Sequence, residues 1–292
     1  MTNNKRRTIL NDAVSVIIVN YKSEKPLLFC LKEIRKGQAI RNNLEIIIVN
    51  NGTGNSKLMK EISKFPKVVL VNANKNIGFA AGVNMGIKVA KNNLILLLNP
   101  DTLASFESIN LLVKCLRKNK AGIVGGANYK LNGERHNTYV RKPNVYTYLF
   151  DYTNLRKIVP RDYFHRRHYY LDQPLPVVKK EVDAVSGSFM LIDRDVIEKI
   201  GLLDEKYFMY LEDIDYCLRA GEAGFKVLFN PKSSIKHVGG YSSNNKERIH
   251  VDAWLKSRKY YVEKHENLLI NLFVQLIFLL DGIIIKTLQR YK

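Results

Sequence analysis

VSVIIVN, residues 14–20, is a short run that is apolar at five of its seven positions and rich in β-branched side chains. A run that is apolar on both faces and too short for a helix reads as a strand buried from both sides, the signature of a parallel sheet. The theme repeats at Leu44–Val49 (LEIIIV), Val68–Val71 and Leu94–Leu98. Between these runs the apolar spacing predicts helices at about 24–36, 56–64, 79–91 and 105–118. Strand–helix alternation of this kind specifies an α/β fold with a mostly parallel central sheet flanked by helices. Ligands of such sheets bind beyond the carboxyl ends of the strands. The residues just past each strand are therefore informative: Asn20-Tyr21, Asn50-Asn51-Gly52, Asn74-Lys75-Asn76-Ile77-Gly78 and Asn99-Pro100-Asp101. All four groups are polar and are expected along one rim.

Outward from this core the pattern changes. Residues 130–180 are rich in tyrosine and arginine with little periodicity. They read as an insertion or long loop that covers a cleft or touches a membrane. Order returns at Val182–Ile192, a strand interrupted by Gly187, with helices expected at 193–200 and 212–223 and strands at 225–229 and 233–238. The last 45 residues read as helical. The simplest partition is a catalytic domain over 1–265, with halves at about 13–130 and 180–265, then an amphipathic helix over 266–292.

Composition narrows the function. The 292 residues are 46% hydrophobic and 25% charged, ordinary for a globular protein and incompatible with a disordered or collagen-like chain. Cys30, Cys115 and Cys217 are scattered without a CxxC pair, so neither a disulfide framework nor a structural zinc site is expected. The first 19 residues do not read as a signal peptide, having no long apolar run ahead of a small-residue cleavage site. A net charge of +20 suits nucleic acid, an anionic membrane face or a phosphate-bearing substrate, and equally a lysine-rich solvated surface. No recognised nucleic-acid motif is present, and the strand ends carry Asn and Asp in place of a basic-aromatic face. No nucleic-acid partner is expected.

Four segments carry candidate chemistry, and each also has a purely structural reading. Asp101 comes after LILLLNP; a carboxylate there suits a divalent cation on a nucleotide diphosphate, or else a turn or helix cap. Glu212, Asp213 and Asp215 begin a helix, where acids also complement the helix dipole and Asp215 can pair with Arg219 one turn on. Glu212 or Asp213 projecting into a cleft would act as a general base, and the Glu212 charge would raise the pKa of Asp213. His237 ends a strand before Gly239-Gly240 and Tyr241-Ser242-Ser243, a segment that reads as a mobile loop. Its imidazole is either structural or a metal ligand. Asn76–Asn84 (NIGFAAGVN) is neither GxGxxG nor GxxxxGK[ST], which disfavours a dinucleotide site and a P-loop.

In this order, VSVIIVNY, IIIVNNGT, NKNIGFAAGVN, LLLNPDT, VSGSFMLI, FMYLEDIDYCLRAGEAGF and His237-x-Gly-Gly resemble the family 2 glycosyltransferases over residues 13–265, nearest the rhamnosyltransferase-like branch of bacterial surface polysaccharide synthesis. The resemblance implies a GT-A fold and inversion of the anomeric centre by single displacement. It places Asn20, Tyr21, Asn50, Asn51, Asn76, Gly78, Asn84, Asn99, Asp101, Gly187 and Ser188 against the nucleotide-sugar, and Asp101 and His237 on a divalent metal, Mg2+ or Mn2+. It makes Asp213 the catalytic base with Glu212 beside it. Asn50 and Asn99 stand where the family usually has acids; an amide carbonyl at Asn50 can still accept the base N3–H. The implied donor is dTDP-rhamnose or a UDP-sugar and the acceptor a lipid-linked glycan. A galactosyl-, glucosyl- or N-acetylhexosaminyltransferase is the alternative within the class. A non-catalytic nucleotide-binding scaffold, or a nucleic-acid-binding protein, is the alternative outside it.

Leu268–Ile285 (LLINLFVQLIFLLDGIII) is followed by Lys286, Arg290 and Lys292, and Asn267, Asn271 and Gln275 form a narrow polar stripe. The stretch fits a helix lying on the membrane surface better than a span, which needs about 20 mostly apolar residues. A homodimer interface or packing on the core is the other reading. Peripheral attachment to the cytoplasmic face of the cell membrane is expected, with Trp254 and the Arg248–Arg258 stretch on the acceptor side.

Overall fold

The computed structural model describes residues 12–36, 43–52, 56–65, 67–157, 163–174, 176–238 and 248–290. The Gly239–Ser243 segment expected to be a loop lies outside them. The first half alternates as the sequence predicts: β1 (Val14–Asn20), α1 (Glu24–Ile34), β2 (Leu44–Asn51), α2 (Ser56–Ser63), β3 (Val68–Ala73), α3 (Phe79–Val89), β4 (Leu94–Leu98), the short β5 (Thr102–Ala104) and α4 (Phe106–Asn119). Strands β3, β2, β1 and β4 are adjacent and parallel. β1 shows why its run is apolar throughout. Val16 and Ile18 pack into the core on one face of the sheet, Ile17 and Val19 into the core on the other, as a two-residue period requires.

Beyond β4 the sheet becomes mixed. β6 (Ile123–Lys130), β11 (Phe189–Asp193) and β12 (Val227–His237) extend it in the order β4-β11-β6-β12-β5. β11 runs antiparallel to both neighbours, and β12 pairs parallel to β6 and antiparallel to β5. The two strands expected at 225–229 and 233–238 are one, bent by a register shift between Asn230 and Ser234 that absorbs the Pro231 interruption. The 182–192 run is divided at Gly187 into β10 (Ala184–Val185) and β11. Helices α7 (Arg194–Ile200) and α8 (Glu212–Glu222) come next.

Residues 130–180 hold more structure than their composition suggests: β7 (Arg135–His136), β8 (Tyr139–Val140), α5 (Val145–Phe150), a 3-10 turn (Asn154–Lys157), α6 (Phe164–His168) and β9 (Lys180–Glu181). Several of their tyrosines serve packing, although Tyr146 and Tyr163 are exposed. Tyr139 stacks on Phe229 at 4.1 Å, and Tyr148 and Tyr152 enter a third apolar cluster with Tyr207, Tyr261, Val274 and Phe278. That cluster joins α8 to the two terminal helices, α9 (Arg248–His265) and α10 (Leu268–Arg290).

Of the polar stripe, Gln275 faces the protein, while Asn267 is exposed and accepts the Ile270 amide at the start of α10. Gln275 donates to the Lys259 carbonyl at 2.8 Å and to Asn271 at 3.0 Å. Asp281 accepts from the fully buried Arg258 at 2.5 Å and from Asn154. The opposite face exposes Leu268, Leu269, Leu272, Phe273, Leu276, Leu279, Leu280, Ile283 and Ile284. Cys30, Cys115 and Cys217 are buried free thiols.

Candidate active site

The strand-end rim borders a cavity of about 470 Å³. Tyr21 enters it from the end of β1, Asn51 from β2, Asn76 and Gly78 from the turn before α3, and Asn99 from the end of β4. Gly187 and Ser188 approach from the loop before β11, Glu212 and Asp213 from the first turn of α8, and His237 from the last residue of β12. Ten of the predicted site residues thus meet around one space, although they reach from Tyr21 to His237 along the chain.

The 76–78 turn is held by amides. Asn51 donates to Asn76 Oδ1 at 3.1 Å and to the Gly78 carbonyl at 2.9 Å, and accepts from the Ile77 amide at 2.9 Å. Gly78 has φ +91°, and a Cβ there would lie 2.3 Å from the Phe208 carbonyl oxygen. That same carbonyl accepts the Phe79 amide at 2.7 Å. Glycine is required here by both conformation and space. The close approach locks the α3 entrance onto the chain leading to α8.

Four predicted residues do not line the cavity. Asn20 turns to the opposite face of the sheet from Val19 and Tyr21, as strand alternation dictates, and donates weakly to Glu24 Oε1 at 3.5 Å. Asn50 spends its amide on Asn72 at 3.1 Å at the strand ends. This bond uses Nδ2, not Oδ1, the atom expected to accept a base N3–H. Asn84 lies a full turn inside α3, away from the rim. It clamps the 203–205 loop, donating to Leu203 O and Glu205 and accepting the Leu203 amide. Asp101 is fully buried behind the wall, and the residue it meets there, His237, is the one that reaches the cavity.

The Asp101–His237 contact, 3.3 Å from Oδ1 to Nε2, is a product of sheet register. β12 pairs with β5 so that His237 faces Thr102, and the Val238 amide donates to the Asp101 carbonyl at 2.8 Å. Thr102 Oγ1 donates to Asn99 O at 2.7 Å, which closes the NPDT turn. Helix α4 is capped by Ser105, not by Asp101. His136 lies near, its ring 5.8 Å from that of His237. No cluster of three or more His, Cys, Asp or Glu forms among the described residues. One carboxylate and one imidazole nonetheless fit a cation whose remaining positions belong to phosphate and water.

Asp213 and Glu212 differ in environment. Asp213 Oδ2 accepts the Gly187 amide at 2.9 Å, and Oδ1 accepts the amide of Ile214 at 2.9 Å. Burial pushes its pKa up, against these amide hydrogen bonds. Glu212 is 5% exposed, and no hydrogen bond to its Oε2 is found among the described residues. Burial first, and then the Asp213 charge, push Glu212 well above the carboxylate range. The expected repulsion therefore acts in the reverse direction: it falls on Glu212, whose oxygen lacks donors, while burial is what raises Asp213. Asp215 is structural. It pairs with Arg219 at 2.9 Å as the helical spacing predicts, and accepts from Lys264 and His265 of α9, each at 2.8 Å.

Sequence reasoning missed Phe79, Phe208, Met209, Tyr210 and His250, all of which line the cavity. The FMY that precedes the acids was an available signal. His250 carried none, because only the docking of α9 brings it there. The described residues of 130–180 do not line this cavity. They border a second one, of about 350 Å³, through Asp151–Asn154.

Residues 11–257 match the family described as Glycosyltransferase like family 2. A low-salt glycan biosynthesis hexosyltransferase of Haloferax volcanii is 29% identical over 226 residues, covering 76% of this chain and 66% of that protein. An N-acetylglucosaminyl-diphospho-decaprenol L-rhamnosyltransferase of Mycobacterium tuberculosis is 24% identical over 260 residues, 85% of this chain and 83% of its own. Among solved structures, GalNAc-T7 with UDP, GalNAc and Mn2+ superposes with a TM-score of 0.62 at 17% identity, over 86% of this chain and 47% of that one. The sheet order, the rim of strand ends and these matches agree: the chain belongs to glycosyltransferase family 2 and has the GT-A fold.

Proposed function

We propose that this enzyme transfers L-rhamnose from dTDP-rhamnose to a hydroxyl of a lipid-linked glycan, with inversion, at the cytoplasmic face of the membrane. The observation that carries the transferase reading is the position of Asp213. It is a half-buried carboxylate, aimed by two amides, on the same cavity as the strand-end rim. The rhamnosyl and lipid-linked parts of the reading rest on the mycobacterial relative.

In the reaction the acceptor oxygen attacks the anomeric carbon. The bond from that carbon to the diphosphate oxygen breaks, its electron pair leaves with the diphosphate, and Asp213 takes the acceptor proton. The nucleotide lies along Tyr21, Asn51 and the 76–78 turn, and the sugar near Gly187 and Ser188. Asp101 and His237 would hold Mg2+ or Mn2+, which when bound neutralises charge on the diphosphate. Burial and the Asp213 charge both push Glu212 above the usual carboxylate range, which favours its uncharged form beside the donor.

Membrane attachment is supported by α10. Its Gln275 and Asp281 bond to α9, its outward face is a continuous apolar strip, and Lys256 and Lys259 line the groove beside it. By length and composition the helix could cross a bilayer. Its fixed docking along α9 favours lying in the interface, where each nearby cation adds about 1 kcal/mol on anionic lipid.

The first test is a panel of dTDP-, UDP- and GDP-sugars with and without Mg2+ or Mn2+, with nucleotide release monitored and Asp213→Asn run beside it. Release from dTDP-rhamnose that is lost in the variant supports the reading. Calorimetry that finds no nucleotide diphosphate bound removes it. For the membrane, the protein should sediment with phosphatidylglycerol vesicles, and Leu272→Glu/Leu276→Glu should abolish this. A soluble dimer that ignores vesicles would assign the strip to a second copy.

A further inference from the structure

We infer that the second cavity, walled by the residue 151–154 segment, α9 and the distal part of α10, takes the acceptor: its terminal sugar next to Tyr210 and the start of its polyprenyl carrier toward Ile285. The inference rests on the transferase reading above and adds the path by which a membrane-held substrate reaches Asp213.

The two cavities share a wall. Tyr210 and His250 line both, and Tyr210 Oη lies 3.1 Å from His250 Nδ1. The backbone that presents Tyr210 is unusual. Tyr210 (φ +75°) and Leu211 (φ +70°) are consecutive non-glycine residues in the left-handed region, each costing on the order of 1–2 kcal/mol. Surrounding contacts hold this turn in place. Leu211 is buried in the cluster that joins α8 to α9 and α10, and Ser257 of α9 donates to the Met209 carbonyl at 2.8 Å. The result is that Tyr210 stands in the partition while Glu212 and Asp213, just beyond Leu211, face the donor cavity. Strain of this kind concentrates where a site needs it.

The lining combines polar, aromatic and apolar side chains. Near the partition, Trp254 sits edge-on to Tyr210 at 6.0 Å and to Tyr152 at 5.0 Å, an aromatic corner suited to the C–H faces of a pyranose. Asp151, Thr153 and Asn154 line the same cavity, and Ile285 closes it from α10 next to the exposed Ile283 and Ile284. A free sugar would not need the apolar end, and a lipid alone would not need the aromatic corner.

Trp254 is the single tryptophan of the chain, so its emission reports on this cavity. The full-length protein in detergent micelles is titrated with N-acetylglucosaminyl-diphospho-decaprenol, with decaprenol alone and with dTDP. Saturable change with the sugar-bearing lipid is expected, and none with decaprenol or dTDP. Ile285→Phe, which narrows the apolar end, should weaken lipid-sugar binding about tenfold while dTDP affinity by calorimetry stays unchanged. Val251→Phe, filling the cavity from α9, is the second variant with the same expectation. An unresponsive Trp254, lipid-sugar binding as tight in both filled variants as in the parent, or an equal response to decaprenol overturns the inference, provided dTDP binds. Failure of dTDP to bind the parent protein overturns the transferase reading instead.

Discussion

Asp213 Oδ2 accepts the backbone amide of Gly187 at 2.9 Å, and this bond joins the first turn of α8 to the loop that enters β11. The two residues are 26 positions apart in the chain but share one wall of the donor cavity. A Cβ at Gly187 would sit 3.5 Å from the Asp213 Cβ, ordinary van der Waals contact, so this approach does not depend on a glycine there. A second amide, from Ile214, holds the other oxygen. The carboxylate is thus oriented before any substrate arrives, the condition for an efficient base.

Replacing Asp213 with Asn removes the proton acceptor while leaving one oxygen for these amides. Transfer should fall by about 10²–10⁴-fold, with nucleotide diphosphate affinity by calorimetry unchanged. Glu212→Gln should retain most activity, because burial already keeps that carboxyl well above the usual range. A Gln variant as inactive as the Asn variant would move the base to Glu212.

Burial raises the Asp213 pKa from its ordinary 3.8. A base works only when deprotonated, so activity should decline as pH falls through a value above 3.8, and should recover as pH rises. The acid limb of kcat for the parent locates that value. The small residual rate of Asp213→Asn should lack this limb.

His168 is buried, and desolvation lowers its pKa from 6.5 to about 4. The folded state therefore binds a proton less readily than the unfolded state. Its contribution to stability is fully present above pH 6.5 and is lost progressively as pH falls toward 4. The total is about 3 kcal/mol by linkage. Urea unfolding midpoints should drop across this window, and His168→Phe should flatten the drop.

Arg258 and Asp281 form a buried pair at 2.5 Å that fastens α10 to α9, with Arg258 also donating to the Tyr152 and Phe278 carbonyls. Asp281→Ala strands the guanidinium and should cost about 3–5 kcal/mol. The double change Arg258→Met/Asp281→Leu should cost far less. Thermal melts of the three variants and the parent separate the pair from its surroundings.

Gly78→Ala places a methyl against the Phe208 carbonyl and requires a strained φ. The 76–78 turn must move, so the donor KM should rise more than kcat falls, with a loss of about 1–3 kcal/mol from the backbone conformation alone. Steady-state kinetics and a melt on the same preparation check both parts.

The alternating runs of the first hundred residues determined the parallel half of the sheet and the location of the rim, because a strand apolar on both faces has few other places to be. The ordered motifs determined the family. Neighbouring rim residues were another matter. Asn20 and Tyr21 are equally polar signals in a sequence, but the two-residue period sends only one of them into the cavity. Asn84 belongs to a motif, yet the turns of α3 carry it to the 203–205 loop. The tertiary structure alone brought Asp101 to His237, through the antiparallel register of β5 and β12, and His250 to Tyr210, through the docking of α9. It also turned Gln275 of α10 inward and the helix's leucines outward. Periodicity tells that a helix has two faces. Which face meets the protein is decided by the partners, Arg258 and the Lys259 carbonyl, that only the folded chain supplies.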